Sequence, residues 1–461
     1  MAITAGQLKS SNITAAATSA DVGTAPDQRL LFDFSDRGAE LSPEESPFFV
    51  YLNKMSKKPT DDSLFRFLEN RSKIDWTTRT FELAAHVNGE SAVTAGAQYA
   101  FSVDTSETGS AADVNWLQKG MVFAVQTLDA AVGTSYATVR IDSAVTDTGS
   151  ANTFTGRVIS LPSSDFSTGY NVLSDNDKCQ VIGTSFEEGS GSPDVWSKSL
   201  DDDYGYTQIF KTAAEMTNTA IATKYRGYAN EWQRIWNLKL REHKVDIERA
   251  MLFGQRNRVD GIQYTEGIVG HVVANSAPTS GDANLSYSPG SAYNRTLAEG
   301  ELTYDRLLTD FEVIFDPARG GSSAKLALAG LPVMSLFNKF GAGSLLKENY
   351  DVNNMQQLNM SGYVEGSYGH KILGVNTIHG DLNLVKEPLF RQFSSAYMMI
   401  VDMQQVAYRP LSGNGQNRDT HIITNVQKAD EDLRKDMILT EAGLEVTLPE
   451  THCLYNFEAI T

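Results

Sequence analysis

Residues 228–254 read YANEWQRIWNLKLREHKVDIERAMLFG, and they contain the clearest helical pattern in the chain. Apolar side chains recur there at intervals of three and four residues, the spacing that places them on one face of an α-helix. They are Trp232, Ile235, Trp236, Leu240, Ile247, Ala250 and Met251. Gly254 follows directly, as glycine often does after the last turn of a helix. The pattern predicts a helix over residues 228–253, roughly 39 Å long and about twice the mean length, which would serve as an architectural spine.

A β-rich pattern occupies residues 74–210, upstream of this helix. It begins with β-branched and aromatic residues between Trp76 and Phe81. The runs between turns rich in Gly, Ser, Thr and Asp predict further strands over residues 121–127, 137–141, 154–161 and 179–186. The pattern predicts a mostly antiparallel lobe of about 100 residues, inserted between Trp76 and Trp196.

The N-terminal segment is small and polar over residues 1–40, which predicts an arm with no core of its own. Residues 1–25 lack a basic stretch followed by an apolar one. We therefore expect no signal peptide, and a protein that stays in the compartment where it is made.

Short elements are predicted on both sides of the β-rich lobe and the spine helix. Ser46-Pro47 is a typical helix start, so a helix is expected from Ser46 to about Asn53. Leu64, Phe65 and Leu68 would share one helical face, which predicts a second helix over residues 61–69. Downstream, helices are expected over residues 302–317 and 333–340, and strands over residues 324–331, 370–378, 397–407, 421–427 and 444–448. The chain is therefore predicted to be α+β, and its 461 residues suggest two or three lobes.

Composition and charge exclude several classes of protein. Hydrophobic residues make up 41% and charged residues 21% of the chain, as in ordinary globular proteins. No apolar run reaches the roughly 20 residues needed to cross a bilayer. The net charge of −18 argues against a protein that grips nucleic acid. An acidic wall can nevertheless enclose DNA without binding it tightly.

Side chains that could carry chemistry are scattered. The seven histidines show no metal-ligand spacing, and Cys179 and Cys453 stand far apart, so we expect buried thiols without a disulfide or zinc site. The glycine clusters match no phosphate-binding motif. Acidic runs at residues 201–203 and 430–432 are typical of a solvated surface, with a lattice cation or an intersubunit ion pair as the alternative. The sequence predicts no catalytic, cofactor or metal site.

Charged residues on the spine helix alternate in sign, with Arg234 and Arg241 interleaved with acids that include Glu248. They can form a solvated helix face, or they can pair with a neighbouring subunit. Single exposed ion pairs contribute about 0–1 kcal/mol, so the second role requires repetition across a symmetric assembly. The sequence leaves both readings open.

The order of these parts resembles the Hong Kong 97-type capsid fold of tailed phages. Local stretches also resemble a phage capsid-protein family of this fold, at residues 46–48, 186–189, 206–210, 243–250, 440–446 and 449–452. The chain departs from a minimal capsid subunit in its large insertion, at about residues 95–180.

The resemblance implies a division of the chain into four parts. These are an N-terminal arm (1–73), an extended β loop (74–210) carrying the β-rich insertion, a peripheral domain (211–319 and 396–461) with the spine helix, and an axial domain (320–395).

The resemblance also implies a function. Identical subunits would form the hexamers and pentamers of an icosahedral shell around double-stranded phage DNA. The implied partners are other copies of the chain, a portal and a scaffold protein, packaged DNA touched non-specifically and, as a further candidate, a cement protein. A membrane and a cofactor are not implied. Assembly would occur in the host bacterial cytoplasm, and the product would be the virion capsid.

Nine residues are candidates for contacts between such subunits, because they lie in the arm, at the ends of the extended loop or on the spine helix. They are Phe48, Phe49, Trp76, Arg79, Glu187, Glu188, Arg234, Arg241 and Glu248. Two rival interpretations remain open. One is another β-rich structural protein, such as an adhesin, tail or surface-layer protein. The other is an enzyme whose site the sequence does not reveal.

Overall fold

A computed structural model describes most of the chain and divides it into two compact units. The described residues are 47–55, 57–70, 79–104, 116–129, 133–147, 152–161, 172–195, 197, 199–225, 230–276, 278–280, 290–298, 303–316, 321–337, 359–365 and 371–457. Residues 212–242 and 422–438 belong to one unit, and the other described residues belong to the second. The predicted arm over residues 1–40 lies outside the described residues.

Six α-helices are present in the described residues, beside three short 3-10 helices at Val87–Glu90, Gln392–Ser394 and Pro449–Thr451. The α-helices are α1 (Pro47–Met55), α2 (Asn218–Ala222), α3 (Glu231–Phe253), α4 (Ile268–Ala274), α5 (Tyr304–Ile314) and α6 (331–337). The predicted spine helix is confirmed as α3. It starts three residues later than predicted because the side chain of Asn230 accepts a hydrogen bond from Gln233 N at 3.2 Å, which caps the first turn. The helix predicted from Ser46 is confirmed as α1, although Ser46 itself is not described.

The helix predicted over residues 61–69 is wrong. Residues Leu64–Glu69 form strand β1, which pairs antiparallel with Asp201–Tyr206. Along β1, Phe65 is buried and Leu68 is exposed, so its apolar residues do not share one helical face. Gly205 lies opposite Phe65, and a Cβ there would stand 2.4 Å from the Phe65 ring. The strand is therefore selected by its partner, a tertiary effect that local spacing does not contain.

The β-rich lobe is a closed antiparallel barrel. Its strands are β2 (Thr80–Leu83), β3 (Gln98–Asp104), β4 (Met121–Asp129), β5 (Gly133–Ile141), β6 (Thr146–Asp147), β7 (Asn152–Ser160) and β8 (Lys178–Thr184). Six of them follow the order β3-β2-β8-β4-β5-β7, and pairing of β7 with β3 closes the ring. Strand β6 pairs with β7 alone. The predicted antiparallel lobe is thereby confirmed.

Four phenylalanines fill the barrel: Phe81, Phe101, Phe123 and Phe154. All are at most 4% exposed. Phe123 meets the other three rings edge-on, with centroids 5.1 to 5.9 Å apart. Gly156 makes room for the cluster, because a Cβ there would lie 2.8 Å from the ring of Phe101. The barrel therefore has a core that depends on its own strands.

The remaining strands form two further sheets and three two-stranded ribbons, one of which pairs β9 with β1. They are β9 (Asp201–Tyr206), β10 (Gln208–Thr217), β11 (Asn257–Val259), β12 (Ile262–Tyr264), β13 (Pro278–Ser280), β14 (Tyr293–Leu297), β15 (Ala324–Ala329), β16 (Asn359–Glu365), β17 (Lys371–Asn376), β18 (Asp381–Lys386), β19 (Tyr397–Val401), β20 (Val406–Pro410), β21 (Ser412–Gly413), β22 (Gln416–Asn417), β23 (His421–Ile423), β24 (Leu433–Val446) and β25 (Cys453–Phe457). Eight form a mixed sheet in the order β13-β14-β25-β19-β15-β18-β17-β16. Strand β24 lies between β10 and β20 and also pairs with β23.

Three of the later strand predictions have wrong bounds. The strand predicted over residues 421–427 ends at Ile423. The strand predicted over residues 397–407 is two strands, because Asp402 turns the chain: its side chain accepts from Gln404 N at 3.0 Å. The strand predicted over residues 444–448 begins at Leu433. Its acidic residues Glu441 and Glu445 hide the strand pattern, since each is buried in an ion pair with an arginine.

Replacing Phe123 with alanine should test whether the barrel depends on its aromatic core. We expect a loss of about 3–5 kcal/mol, because the change removes a fully buried ring and leaves a cavity. Urea denaturation of the full-length protein, with proteolysis to report on the barrel, measures the loss. Tyr136→Ala in the same barrel is the control, since that ring is 64% exposed. Equal effects of the two changes would contradict an aromatic core.

Candidate functional site

Three of the nine predicted contact residues lie inside the chain's own core. Phe48 and Glu248 are 0% exposed, and Phe49 is 6% exposed. The backbone N–H of Phe48 donates to Glu248 Oε1 at 2.8 Å, and the Phe49 ring meets Tyr408 edge-on at 5.7 Å. Through these contacts, the three residues hold α1 against α3 and against β20 within one subunit. Their expected place on an intersubunit surface is corrected, because none is available on the surface of a single subunit.

Two of the nine residues, Trp76 and Arg79, were predicted at the start of the extended loop. Trp76 lies outside the described residues. Arg79 is half-buried beside the barrel, with its guanidinium 5.9 Å from the ring of Trp116. Its carbonyl accepts from Val181 N at 3.0 Å. Arg79 therefore contributes to the entrance of the barrel in its own chain.

Glu187 and Glu188 lie on an exposed segment that leads from the barrel back to β9. Every residue from 183 to 195 is exposed. Ser190 N donates to the carbonyl of Glu187 at 3.1 Å, and Gly189 continues the turn with a φ of 77°. These two acids are available for contact with another molecule.

Most charged groups on α3 pair along the helix itself. Arg234 Nε lies 3.0 Å from the Glu231 carboxylate, Lys239 pairs with Glu242 at 2.7 Å, and Arg249 pairs with Asp246 at 3.1 Å. This favours the solvated-face reading over intersubunit pairing for these residues. Arg241 is exposed.

Arg256 is a structural contact that the sequence did not reveal. Its guanidinium donates to Asp203 Oδ1 at 2.6 Å, stacks 4.2 Å from the ring of Tyr204 and lies 3.6 Å from Glu266. It ties the segment after α3 to the β1–β9 ribbon. Asp203 is therefore a partner of Arg256, whereas the acidic run had suggested solvated charges. An isolated arginine after a helix carries no local signal of this role.

The β11–β12 hairpin presents an apolar face to solvent. Asp260 and Gly261 form its turn with φ values of 51° and 78°. Val259 pairs with Ile262, so both side chains point to the same side, and Tyr264 lies two residues further along that side. These three side chains are 48%, 57% and 41% exposed. A two-stranded hairpin is marginally stable alone, so an apolar face of this kind favours a covering partner.

The described residues contain no group of His, Cys, Asp and Glu that could hold a metal ion. The predicted thiols are confirmed, since Cys179 and Cys453 are both buried and unpaired. His243 is buried against Thr440 at 2.8 Å, and this burial lowers the pKa of its imidazole. In the part of the chain that the structure describes, no helix is long and apolar enough to cross a membrane.

Comparison with known proteins identifies relatives at low similarity. No curated protein matches the chain by sequence. Among solved structures, that of Microbacterium phage Oxtober96 is 10% identical, with 93% of this chain and 96% of that chain covered and a TM-score of 0.40. The capsid of a native GTA particle is 8% identical, with 96% and 100% covered and a TM-score of 0.39. The cyanophage A-1(L) capsid is 10% identical, with 60% and 85% covered and a TM-score of 0.42.

A family comparison covers nearly the whole chain. The family described as SU10 major capsid protein matches residues 11–458, a span that includes the barrel, the hairpin and all six helices. The chain therefore belongs to the SU10 major capsid protein family.

Proposed function

We propose that this major capsid protein assembles into the hexamers and pentamers of an icosahedral shell that encloses double-stranded phage DNA. The observation that carries the proposal is the family match over residues 11–458. Family membership makes the protein a structural component of a virion capsid, and the expectation of a protein that is not an enzyme is confirmed by the family. Self-association into the shell follows from the same membership.

We further propose the four-part division of the subunit given by the resemblance. Residues 1–73 form the arm, 74–210 the extended loop, 211–319 with 396–461 the peripheral domain, and 320–395 the axial domain. The proposal is supported by the β1–β9 ribbon, in which the end of the arm range (Leu64–Glu69) pairs antiparallel with the end of the loop range (Asp201–Tyr206), so that the loop begins and ends side by side. It is also supported by the length of α3, which suits a spine.

The barrel is proposed to face outward or to brace a neighbouring capsomer. Its strands lie between β1 and β9 in sequence, and its own core makes it independent of the ribbon that carries it. Thr80 pairs with Gln180, so the chain enters and leaves the barrel at adjacent points. This arrangement is typical of a domain inserted into a pre-existing loop.

The surface proposed to meet a second copy of the chain is the apolar face of the β11–β12 hairpin. Exposed Glu187, Glu188 and Arg241 are proposed to lie in the polar parts of subunit contacts.

The further partners are proposed to be a portal protein, a scaffold protein and a cement protein. Packaged DNA would be touched non-specifically, which suits a chain of net charge −18. Assembly of the shell is proposed to take place in the host bacterial cytoplasm.

Electron microscopy of the recombinant full-length protein tests the proposed function directly. Closed shells, or rings of six subunits, are expected because one chain supplies all of the contacts within a capsomer. Protein that remains monomeric at every concentration and salt tested would contradict it.

Placing aspartates at Val259 and Ile262 should prevent shell formation while the subunit stays folded. Both side chains are exposed, so the subunit's own core is unaffected, whereas a subunit contact would bury two uncompensated charges. Size-exclusion chromatography and negative-stain microscopy measure assembly, and circular dichroism checks folding. Arg258→Asp, on the opposite face of the hairpin, is the matched control. Normal shells from the double variant would rule out this face as a contact.

Replacing residues 79–185 with a short linker should leave a folded subunit whose shells are less stable. Folding is expected to survive because the barrel ends are adjacent and its core is separate. Calorimetry of assembled particles measures the stability, with Tyr136→Ala particles as the control that keeps the barrel. Unchanged particle stability would leave the barrel an outward-facing domain and eliminate the bracing role.

A further inference from the structure

The ring of Phe393 is the most exposed aromatic side chain in the part of the chain that the structure describes. It is 75% exposed, although phenylalanine is among the residues most often fully buried. Two neighbouring rings meet it edge-on, that of Phe253 at 5.8 Å and that of Tyr397 at 6.3 Å between centroids. Edge-on contacts are a favoured arrangement of aromatic pairs. The ring is therefore held by its own subunit and still left open to solvent.

The backbone that presents this ring is strained. Gln392, the first residue of the 3-10 helix Gln392–Ser394, has a φ of 53°. Eight described residues other than glycine have a positive φ, and five of them are Asn or Asp. Those two residue types tolerate the left-handed region because their short polar side chains can hydrogen-bond locally, whereas the longer glutamine side chain is less suited to this. Strained residues cluster at functional sites, so the position of Gln392 beside Phe393 indicates a role for this segment.

A second apolar element adjoins the segment that carries Phe393. Helix α6 reads LPVMSLF over residues 331–337, with no charged residue and a single polar one. Helices that are apolar on every side are normally buried, yet Leu331 is 57% exposed. Gly330 connects the two elements, because its N–H donates to the carbonyl of Tyr397 at 3.1 Å. Leu331 and Phe393 therefore flank one backbone contact, and together they are the 331/393 surface.

The exposed charge beside the 331/393 surface is positive. Over residues 386–397, Arg391 is the one exposed charged side chain, since Lys386 is half-buried and Glu387 is buried. Arg391 Nε donates to the carbonyl of Pro388 at 2.9 Å, and no acid of the described residues pairs with it. The whole chain has 57 acidic and 39 basic residues, so two copies repel one another. An exposed cation beside an apolar surface offsets that repulsion where copies meet, because a second copy carries an excess of acids.

We propose that the 331/393 surface, with Arg391 beside it, binds a second copy of this chain. Phe393 is the anchor that the contact buries, and Arg391 pairs with an acid of the other copy. Aromatic and arginine side chains carry much of the binding energy at protein interfaces. The strained turn at Gln392 holds the ring in place before the copies meet, so less conformational freedom is lost on binding. The choice of a second copy as the partner rests on the proposed shell.

The chain carries two separate exposed apolar surfaces. One is the hairpin face of Val259 and Ile262, and the other is the 331/393 surface, which shares no residue with it. Closed rings of identical subunits use two different surfaces of each subunit, one for each neighbour. Two apolar surfaces on one chain are therefore what a head-to-tail contact between copies requires.

The substitution Phe393→Asp in the full-length protein should raise the protein concentration at which shells or rings appear by at least about tenfold. The change removes the anchor and would bury an uncompensated charge in the contact. Light scattering and negative-stain microscopy measure assembly, and circular dichroism checks folding. Ile378→Asp is the matched control, because that side chain is 86% exposed on the turn after β17 and should assemble as wild type. Equal threshold concentrations for wild type and Phe393→Asp would overturn the inference.

Photocrosslinking tests the same contact without requiring shells. Benzoylphenylalanine in place of Phe393 in the purified full-length protein keeps an aromatic ring there, so it can be used even if Phe393→Asp does not fold. Irradiation should join two chains into a band of twice the mass on a denaturing gel, whereas the same residue in place of Ile378 should not. Joined chains in protein that forms no shell would support the inference and contradict the proposed shell. Single chains alone, with or without shells, would overturn the inference.

Discussion

The burial of the C-terminal half of α3 is the contact on which the largest core depends. Ile247, Met251 and Leu252 are 0% exposed and pack with α1, α4 and the strands around Leu328 and Val401. Burial of each such side chain contributes about 1.5–3 kcal/mol. The glycines after the helix keep this end compact: a Cβ on Gly254 would lie 2.5 Å from the carbonyls of Ala250 and Thr265. The chain can therefore turn back at once and place α4 in the same core.

Glu248 gives this contact its specificity. Hydrophobic packing alone would allow α1 to slide or rotate, since apolar contacts are not directional. A buried acid that accepts the N–H of Phe48, in the first turn of α1, favours one position of the helix. Burial of a charged group seldom adds stability in itself. Its contribution here is to select the register of α1.

The sequence correctly predicted those elements in which the spacing of apolar residues is visible within the element itself. The periodic apolar face of α3 and the strands of the barrel are examples, because each repeats a local spacing. The strand at Leu64–Glu69 was mistaken for a helix because Gly205, far away in sequence, selects its conformation. Strand β24 was predicted too short because buried Glu441 and Glu445 look like surface residues until their arginine partners are known.

The same distinction between local and distant partners explains why several candidate contact residues do not lie on a free surface. Glu248 was selected as one charge among many on α3, yet the fold buries it beneath α1. Charges that remain on the surface of α3 are largely satisfied along the helix, and each such pair contributes only about 0–1 kcal/mol. Surface ion pairs of this strength are too weak to determine which surfaces of two subunits come into contact. An exposed apolar face, such as that of Val259 and Ile262, can determine it, because burial of the face is favourable only where a complementary surface covers it. In a symmetric shell every subunit would repeat such a contact, so a modest gain per subunit would be multiplied over the whole assembly.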